Sequence, residues 1–322
     1  MYSPRYLEDI VAFDALLYSQ ERFPAPHCHP DTRKAVLEIV ESWIWNRQGG
    51  FKDILWISGA PGVGKSAVVQ TICEMLSGAY NPIHASFFFT RGQGARELAA
   101  SLPPTIAHQF TITSIVCRWY IWYLLRHNPS ILRESFHSQF RKLVIAPAFA
   151  RSYVQYPMVV VIDGLDECNN EEDRVSLLKL IFEAATTKSI RFLIASRPEE
   201  EIETFFKDPD VSSLVNHIVL DEESFKTSKD IIIFLRSEFA RIRRSRPYSI
   251  SAPIDGEEWP GTAVITQLAV YADGQFIYAV LVIGFIDTKF FSPSEQLDAP
   301  HTSWAIPSLP NTRRPSSESS ES

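Results

Sequence analysis

Residues 54–66 read ILWISGAPGVGKS, an apolar run that passes into a complete G-x-x-x-x-G-K-[ST] loop. Ile54, Leu55, Trp56 and Ile57 have the composition of a strand covered on both faces, and residues 65–76, rich in Ala, Val, Ile and Leu, predict a helix. Strand, glycine loop and helix in that order are the context in which this pattern cradles phosphate. Glycine at positions 59, 62 and 64 lets backbone approach an anion where a Cβ would stand in the way. The loop amides then turn inward as a nest, and the helix N-terminus adds about half a positive charge. Lys65 is expected to reach the β- and γ-phosphates, and Ser66 to ligate Mg²⁺ through its hydroxyl. The nucleotide-holding set is therefore Gly59, Ala60, Pro61, Gly62, Val63, Gly64, Lys65, Ser66 and Ala67.

Outward from the loop, apolar runs alternate with helical patterns. Strands are predicted at 84–89, at 158–162 after Pro157, at 191–195 and at 217–220. Helices are predicted at 33–47, capped by Asp31 or Thr32 and stopped by Gly49 and Gly50, and at 131–143, 175–182 and 228–244. Gly78 reads as a left-handed helix stop, and Pro103 with Pro104 as a break that splits a helix in two. Such alternation predicts an α/β fold: a P-loop NTPase with a three-layer α/β/α parallel sheet, followed by a small helical unit. The expected division is a leader over residues 1–30, the nucleotide domain over 31–222, a helical extension over 223–299 and a Ser/Pro/Glu-rich disordered tail over 300–322. Residues 111–125 and 276–286 are apolar but too short to cross a bilayer, so both read as buried, with Phe276, Ile277, Ala279, Val280 and Ile283 as core.

The net charge of −7 leaves no footprint for nonspecific nucleic-acid binding, and the two apolar stretches are too short to span a bilayer, so neither nucleic acid nor a membrane is an expected partner. Cys28, Cys73, Cys117 and Cys168 are scattered, and the first residues lack the pattern of a signal or transit peptide. A reducing, cytoplasmic setting follows as the expectation. His27, Cys28 and His29 are adjacent and cannot easily converge on one ion, which argues against a metal there. Arg241, Arg243 and Arg244 read as favourable charge at a helix C-terminus.

The 158–162 strand runs directly into Asp163, Gly164, Leu165, Asp166 and Glu167. A strand-end acid can hold Mg²⁺ through water, which gives Asp163 that role. Asp166, Glu167 or both can polarise an attacking water, or they form a solvated acidic turn. Arg197 follows the strand expected beside the first. It either senses a γ-phosphate and stabilises charge in its transfer, or pairs with Asp166 or Glu199.

Taken in order, GAPGVGKSA, ASFFFTR, PPTIAHQF, QFRKL, VVVIDGLDEC, FLIASRPE and DGQFIYA, over about residues 27–288, resemble the NACHT-type NTPase module of fungal STAND proteins, the nephrocystin-3-like N-terminal family. The resemblance implies a signal-transducing module of the heterokaryon-incompatibility or innate-immunity kind that binds ATP or ADP with Mg²⁺ and hydrolyses ATP slowly. Residues 59–66 would be its Walker A, 163–167 its extended Walker B and Arg197 its sensor, while CHPDTR at 28–33 matches a segment found near the adenine. Protein partners or self-association through the module are also implied. The sequence departs from the family at TSIVCRWYIWYLLRH, residues 113–127, which is far more aromatic than the charged helix expected there. The family's effector and winged-helix units have no counterpart in the sequence, so nucleotide binding without ATP-driven assembly is expected. Two other readings stand beside this one: an interaction fragment that keeps the fold without catalysis, and a small-molecule kinase, which would need an acceptor pocket and lid.

Overall fold

The three central strands of the sheet are nearly unbroken apolar runs because both of their faces are covered. The computed structural model describes residues 5–45, 50–78, 81–151, 156–221, 225–246 and 258–298. In chain order the main elements are α1 (Lys34–Trp45), β1 (Ile54–Ser58), α2 (Lys65–Met75), β2 (Ile83–Phe88), α3 (Leu102–Thr113), α4 (Ile115–His127), α5 (Phe136–Phe140) and α6 (Ala146–Ala150). They continue with β3 (Met158–Asp163), α7 (Glu171–Thr186), β4 (Ile190–Ser196), α8 (Glu200–Lys207), β5 (Val215–Val219), α9 (Thr227–Ser245), α10 (Thr262–Ala272), α11 (Phe276–Ile286) and α12 (Pro293–Asp298). All five strands are parallel, in the order β2-β3-β4-β1-β5.

Alternation along the strands divides the core into two layers. Trp56, Phe87, Val160, Ile162, Phe192 and Ile194 face one side, with Ile106, Phe110, Leu177 and Ile181 of α3 and α7. Leu55, Ile57, Phe88, Val161 and Leu193 face the other, with Val40 and Trp43 of α1 and Val68, Val69 and Ile72 of α2. The α/β/α fold expected from the sequence is thus formed. A third cluster, centred on Leu235, Phe239, Leu268, Ala272, Val282 and Ile283, holds α9, α10 and α11 together as the small helical unit. The leader belongs to the first layer: Leu7, Ala12 and Ala15 are buried there, and the Ala12 N–H donates to Thr105 Oγ1 at 3.0 Å. The end of the 33–47 helix with Gly49, the division at 222/223 and the tail from 300 lie outside the described residues.

Several local expectations are corrected. Helix α2 ends without a left-handed glycine: Leu76 caps it in a right-handed conformation with its N–H on Ile72 O and Glu74 O, and Gly78 does not have a positive φ. Pro103 and Pro104 start α3 instead of breaking a helix, since a missing N–H costs nothing in a first turn. Over 131–143 the amphipathic pattern is divided. A 3₁₀ segment, Pro129–Arg133, precedes a new start at the Ser135 cap, and the chain then continues through a π-turn, Arg141–Ile145, into α6. The 111–125 stretch is buried only on one side, with Ile112, Ile115, Trp119 and Tyr123 all more than half exposed. Ile277 and Val280 are likewise exposed.

Strand β2 lies at the sheet edge, where unpaired backbone groups invite other chains. Gln109 of α3 closes that edge like a short extra strand. It accepts from the Ser86 N–H at 2.9 Å and donates to the Ser86 carbonyl at 2.8 Å, and the Thr113 hydroxyl donates to the His84 carbonyl at 3.1 Å. Gln109→Ala is expected to lower unfolding free energy by about 1–3 kcal/mol, because a buried N–H and C=O lose their partner together. Chemical denaturation measures it, and an unchanged midpoint would show that the edge is satisfied without Gln109.

Candidate nucleotide site

Register places the site. Ser58 is paired with Ser196, and Asp163 with Ala195, so the loops leaving β1, β4 and β3 emerge side by side at the carboxyl ends of the strands. In open parallel sheets that rim is where ligands bind. The residues following those ends are Gly59, Arg197 and Gly164.

The loop from β1 to α2 depends on two left-handed glycines, Gly62 at φ 79° and Gly64 at φ 97°. Gly59 is bare for a different reason: a Cβ there would lie 3.0 Å from both the Leu220 carbonyl and Val63 Cγ2, so it is packing beyond β5 that requires glycine. Lys65 folds back over the loop, donating to the Gly59 carbonyl at 2.7 Å and the Ala60 carbonyl at 3.0 Å. Burial lowers its pKa, while Asp166, Asp163 and Glu167 act in the opposite direction.

Asp163 is buried at the end of β3, and burial pushes its carboxyl up to about 6 against the pull of the Ser66 hydroxyl and of Arg22. Arg22 comes from the leader, and sequence reading assigns this residue no part in the site. Its guanidinium lies 3.4 Å from the Phe88 ring centroid and donates to Gln70 Oε1 at 2.7 Å and to the Leu17 carbonyl at 2.8 Å. Burial lowers its own pKa to about 10, and Asp163 opposes that shift. Nothing in the local pattern around Arg22 marks this role, because the partners lie far along the chain.

Gly164, at φ 71°, turns the chain beneath the rim, and a Cβ on it would be 3.1 Å from the Phe89 carbonyl. The turn aims Asp166 at Arg197. Its carboxylate accepts from the Arg197 backbone N–H at 2.9 Å and pairs with the guanidinium Nε at 3.2 Å. Of the pairings open from sequence, that with Asp166 is formed. Glu167 accepts from the Arg91 N–H at 3.1 Å.

These groups line one cavity of about 540 Å³. Pro61, Gly62, Gly64, Lys65, Ser66, Ala67, Asp163, Asp166, Glu167 and Arg197 line it from the glycine loop and the strand ends; Pro26, Cys28, Phe234, Phe276, Ile277 and Val280, from the leader and the helical unit, add an apolar part of the lining. Gly59, Ala60 and Val63 stand behind the loop instead of in the cavity wall, and the Val63 carbonyl accepts from Arg33 at 2.6 Å. Ile277 and Val280 are exposed because they face this cavity. The Ile277 N–H donates to the Gly62 carbonyl at 3.1 Å, and a Cβ on Gly62 would fall 2.3 Å from Ile277 Cγ2. Helix α11 therefore sits directly on the glycine loop.

His27, Cys28 and His29 also reach the cavity but diverge. His27 contacts Glu74 at 3.1 Å, the Cys28 N–H donates to Thr71 Oγ1 at 2.9 Å, and His29 packs edge-on against Phe234. Among the described residues no group of three His, Cys, Asp or Glu could hold a metal by itself. One hydroxyl and one buried carboxylate, Ser66 and Asp163, suit Mg²⁺ arriving with a phosphate, since that ion keeps waters and takes few protein ligands. Open space where a Gly64 Cβ would point leaves the cradle free for an anion.

The chain is similar to one protein family and to several individual proteins. The family model described as Nephrocystin 3, N-terminal, matches residues 31–197. Vegetative incompatibility protein HET-E-1 of Podospora anserina is 27% identical over 217 residues, covering 62% of this chain and 14% of that protein. The chain thus spans about one-seventh of the length of that relative. Among solved structures, C. elegans PCH-2 aligns with a TM-score of 0.45 and 11% identity over 91% of this chain and 69% of its own. Domain III of the Thermotoga maritima replication initiation protein DnaA aligns with a TM-score of 0.39 and 14% identity over 85% and 87%. With the glycine loop, the acidic strand end and Arg197 inside the matched segment, this chain belongs to the nephrocystin 3 N-terminal family.

Proposed function

We propose that the module takes ATP or ADP with Mg²⁺ and acts as a NACHT-type signalling switch, with ATP hydrolysis slow. The observation that carries this reading is the single cavity shared by the glycine loop, the strand-end acids and the tip of α11. The polar lining from the glycine loop and the strand ends suits a triphosphate, and the apolar lining suits a base. Bound Mg²⁺ would supply charge neutralisation between the phosphates; the remaining work falls to the chain. Lys65 exchanges its two carbonyl partners for phosphate oxygens, a stronger charge-assisted contact. Ser66 and Asp163 hold the ion's side of the site. Glu167 is left to orient a water, because Asp166 is already engaged by Arg197. That pairing fixes Arg197 at the rim, where its guanidinium can read a terminal phosphate. The same reading divides the chain into a nucleotide domain over 31–222 and a helical extension over 223–299, with the family's incompatibility-type signalling as its setting.

Lys65→Ala is expected to weaken nucleotide binding by about 1.5–3 kcal/mol, roughly tenfold to a hundredfold, in titration with a fluorescent ATP analogue. Unchanged affinity would remove the phosphate role. Arg197→Ala is expected to lose affinity for ATP selectively; equal losses for ATP and ADP with a lower melting temperature would leave Arg197 only as the partner of Asp166.

Asp163 gives a pH test. Its folded pKa, about 6, stands above the ordinary carboxylate value, so between about pH 4 and 6 the folded chain keeps a proton that the unfolded chain releases. Its contribution to unliganded stability therefore falls as pH rises through that window and stays lost above it. Asp163→Asn is expected to stabilise the unliganded chain near pH 7, by an amount on the order of 2 kcal/mol, and to erase the added stabilisation by nucleotide that Mg²⁺ gives over EDTA. Thermal melts measure both. A wild-type chain whose nucleotide stabilisation is the same in Mg²⁺ and EDTA would exclude the metal role.

A further inference from the structure

From residue 98 to residue 162 the sequence contains one acid, Glu134, against six Lys and Arg, in a chain of net charge −7. Glu134 pairs with Lys142 at 2.6 Å, and Arg141 pairs with Glu183 at 2.8 Å. Arg118, Arg126 and Arg133 have no ion-pair partner among the described residues. Arg118 donates to the Thr111 and Ile112 carbonyls at 2.5 and 3.3 Å, and Arg126 lies 5.4 Å from the Trp122 ring centroid, so both keep their charge unneutralised.

The same segment exposes an apolar row. Helix α4 packs inward through Cys117, Ile121 and Leu125, and turns outward Ile115, Trp119 and Tyr123 at four-residue steps, 60%, 51% and 62% exposed. Ile112 precedes them at 62%, and α6, packed against α4, adds Phe149 at 60%. From Ile115 to Tyr123 the row on α4 is about 12 Å long. Monomeric surfaces rarely leave so many large apolar side chains together in water.

We propose that this face docks on an anionic lipid surface, with α4 lying in the headgroup plane. Indole and phenol rings favour that zone because one edge is apolar and the other polar. Ile112, Ile115 and Phe149 supply the part that reaches the acyl boundary, and Arg118, Arg126 and Arg133 the attraction to anionic headgroups. The acidic remainder of the chain is repelled by the same surface, so the charge distribution turns this end toward it. A second copy fits poorly: two-fold pairing would set Arg118 and Arg126 near their own copies. Nucleic acid fits less well than lipid, since aliphatic side chains have no stacking role and three arginines make a small phosphate footprint. No helix among the described residues is long and apolar enough to span a membrane, so the mode is surface binding. The proposal is independent of the nucleotide reading.

Cosedimentation of the full chain with phosphatidylcholine vesicles, with and without phosphatidylserine, tests it, with tryptophan emission recorded in parallel. Binding is expected only with phosphatidylserine, with a blue shift and a loss on raising ionic strength. Replacing one arginine, in Arg126→Gln, is expected to weaken binding about fivefold. The pair Trp119→Ser and Tyr123→Ser is expected to abolish it while leaving the melting temperature and nucleotide affinity in place, since both residues are exposed and far in sequence from the loop. Absence of binding to either vesicle overturns the proposal, as does equal binding by the double variant. Concentration-dependent dimerisation lost in that variant, or retention of RNA without vesicle binding, would assign the face to a second copy or to nucleic acid instead.

Discussion

The Arg33 guanidinium donates to the Val63 carbonyl in the glycine loop at 2.6 Å and to the Thr227 hydroxyl at the head of α9 at 3.0 Å, while its backbone N–H donates to Asp230 at 2.9 Å. It also lies 5.0 Å from the Phe276 ring centroid. One buried side chain thus ties the segment before α1, the phosphate loop and both ends of the helical unit's contact into a single piece. The segment carries strain for this: Asp31 and Arg33 have φ values of 70° and 57°, left-handed conformations that non-glycine residues seldom adopt. A lysine could not substitute, because only the planar fork reaches a carbonyl and a hydroxyl in two directions at once. That bracing acts together with the bond from the Ile277 N–H to the Gly62 carbonyl in holding Phe234, Phe276, Ile277 and Val280, the apolar part of the cavity lining, against the glycine loop.

What could be read in the sequence is what local chemistry determines. Positive φ at positions 62 and 64, the burial of both strand faces and the acid at the end of β3 are each dictated within a few residues, and they stand where the residues predict. Arg22 and Arg33 were not legible as parts of the site, although CHPDTR drew attention to the second. Their partners, Gln70, Phe88, Val63 and Thr227, lie between 30 and 194 residues away. The apolar character of 276–286 was legible but its direction was not. Ile277 and Val280 look like core by composition, and only the docking of α11 shows that they wall a cavity. Prolines 103 and 104 failed as a break for a related reason, since a proline pair at the first turn of a helix and one in its middle have the same local spelling.

Burial of polar groups on the rim is offset by mutual satisfaction. Asp166 is 5% exposed yet receives two donors from Arg197, and the Trp56 indole inside the sheet donates to Ser196 Oγ at 2.8 Å. Asp163 is different. The Ser66 hydroxyl binds its carboxylate, and burial outweighs that bond and the field of Arg22 together, leaving the carboxyl at about 6. A group held away from its preferred charge state at the end of a strand is one whose environment improves when a cation arrives. The unpaired demand lies at this acid and not at Asp166.

The bond from the Ile277 N–H to the Gly62 carbonyl gives that demand a mechanical consequence. Ile277 lies in the first turn of α11, where N–H groups have no partner within the helix, so the glycine loop serves as part of the helix cap. Glycine at 62 is needed twice over, for its φ of 79° and because Ile277 occupies the place of a Cβ. Any rearrangement of the loop that withdraws the Gly62 carbonyl must therefore leave an amide at the helix start unsatisfied or carry α11 along with it. Since α11 shares one core with α9 and α10, movement of its first turn is resisted by the whole helical unit. The shape of the phosphate loop and the position of that unit are in this way a single structural variable.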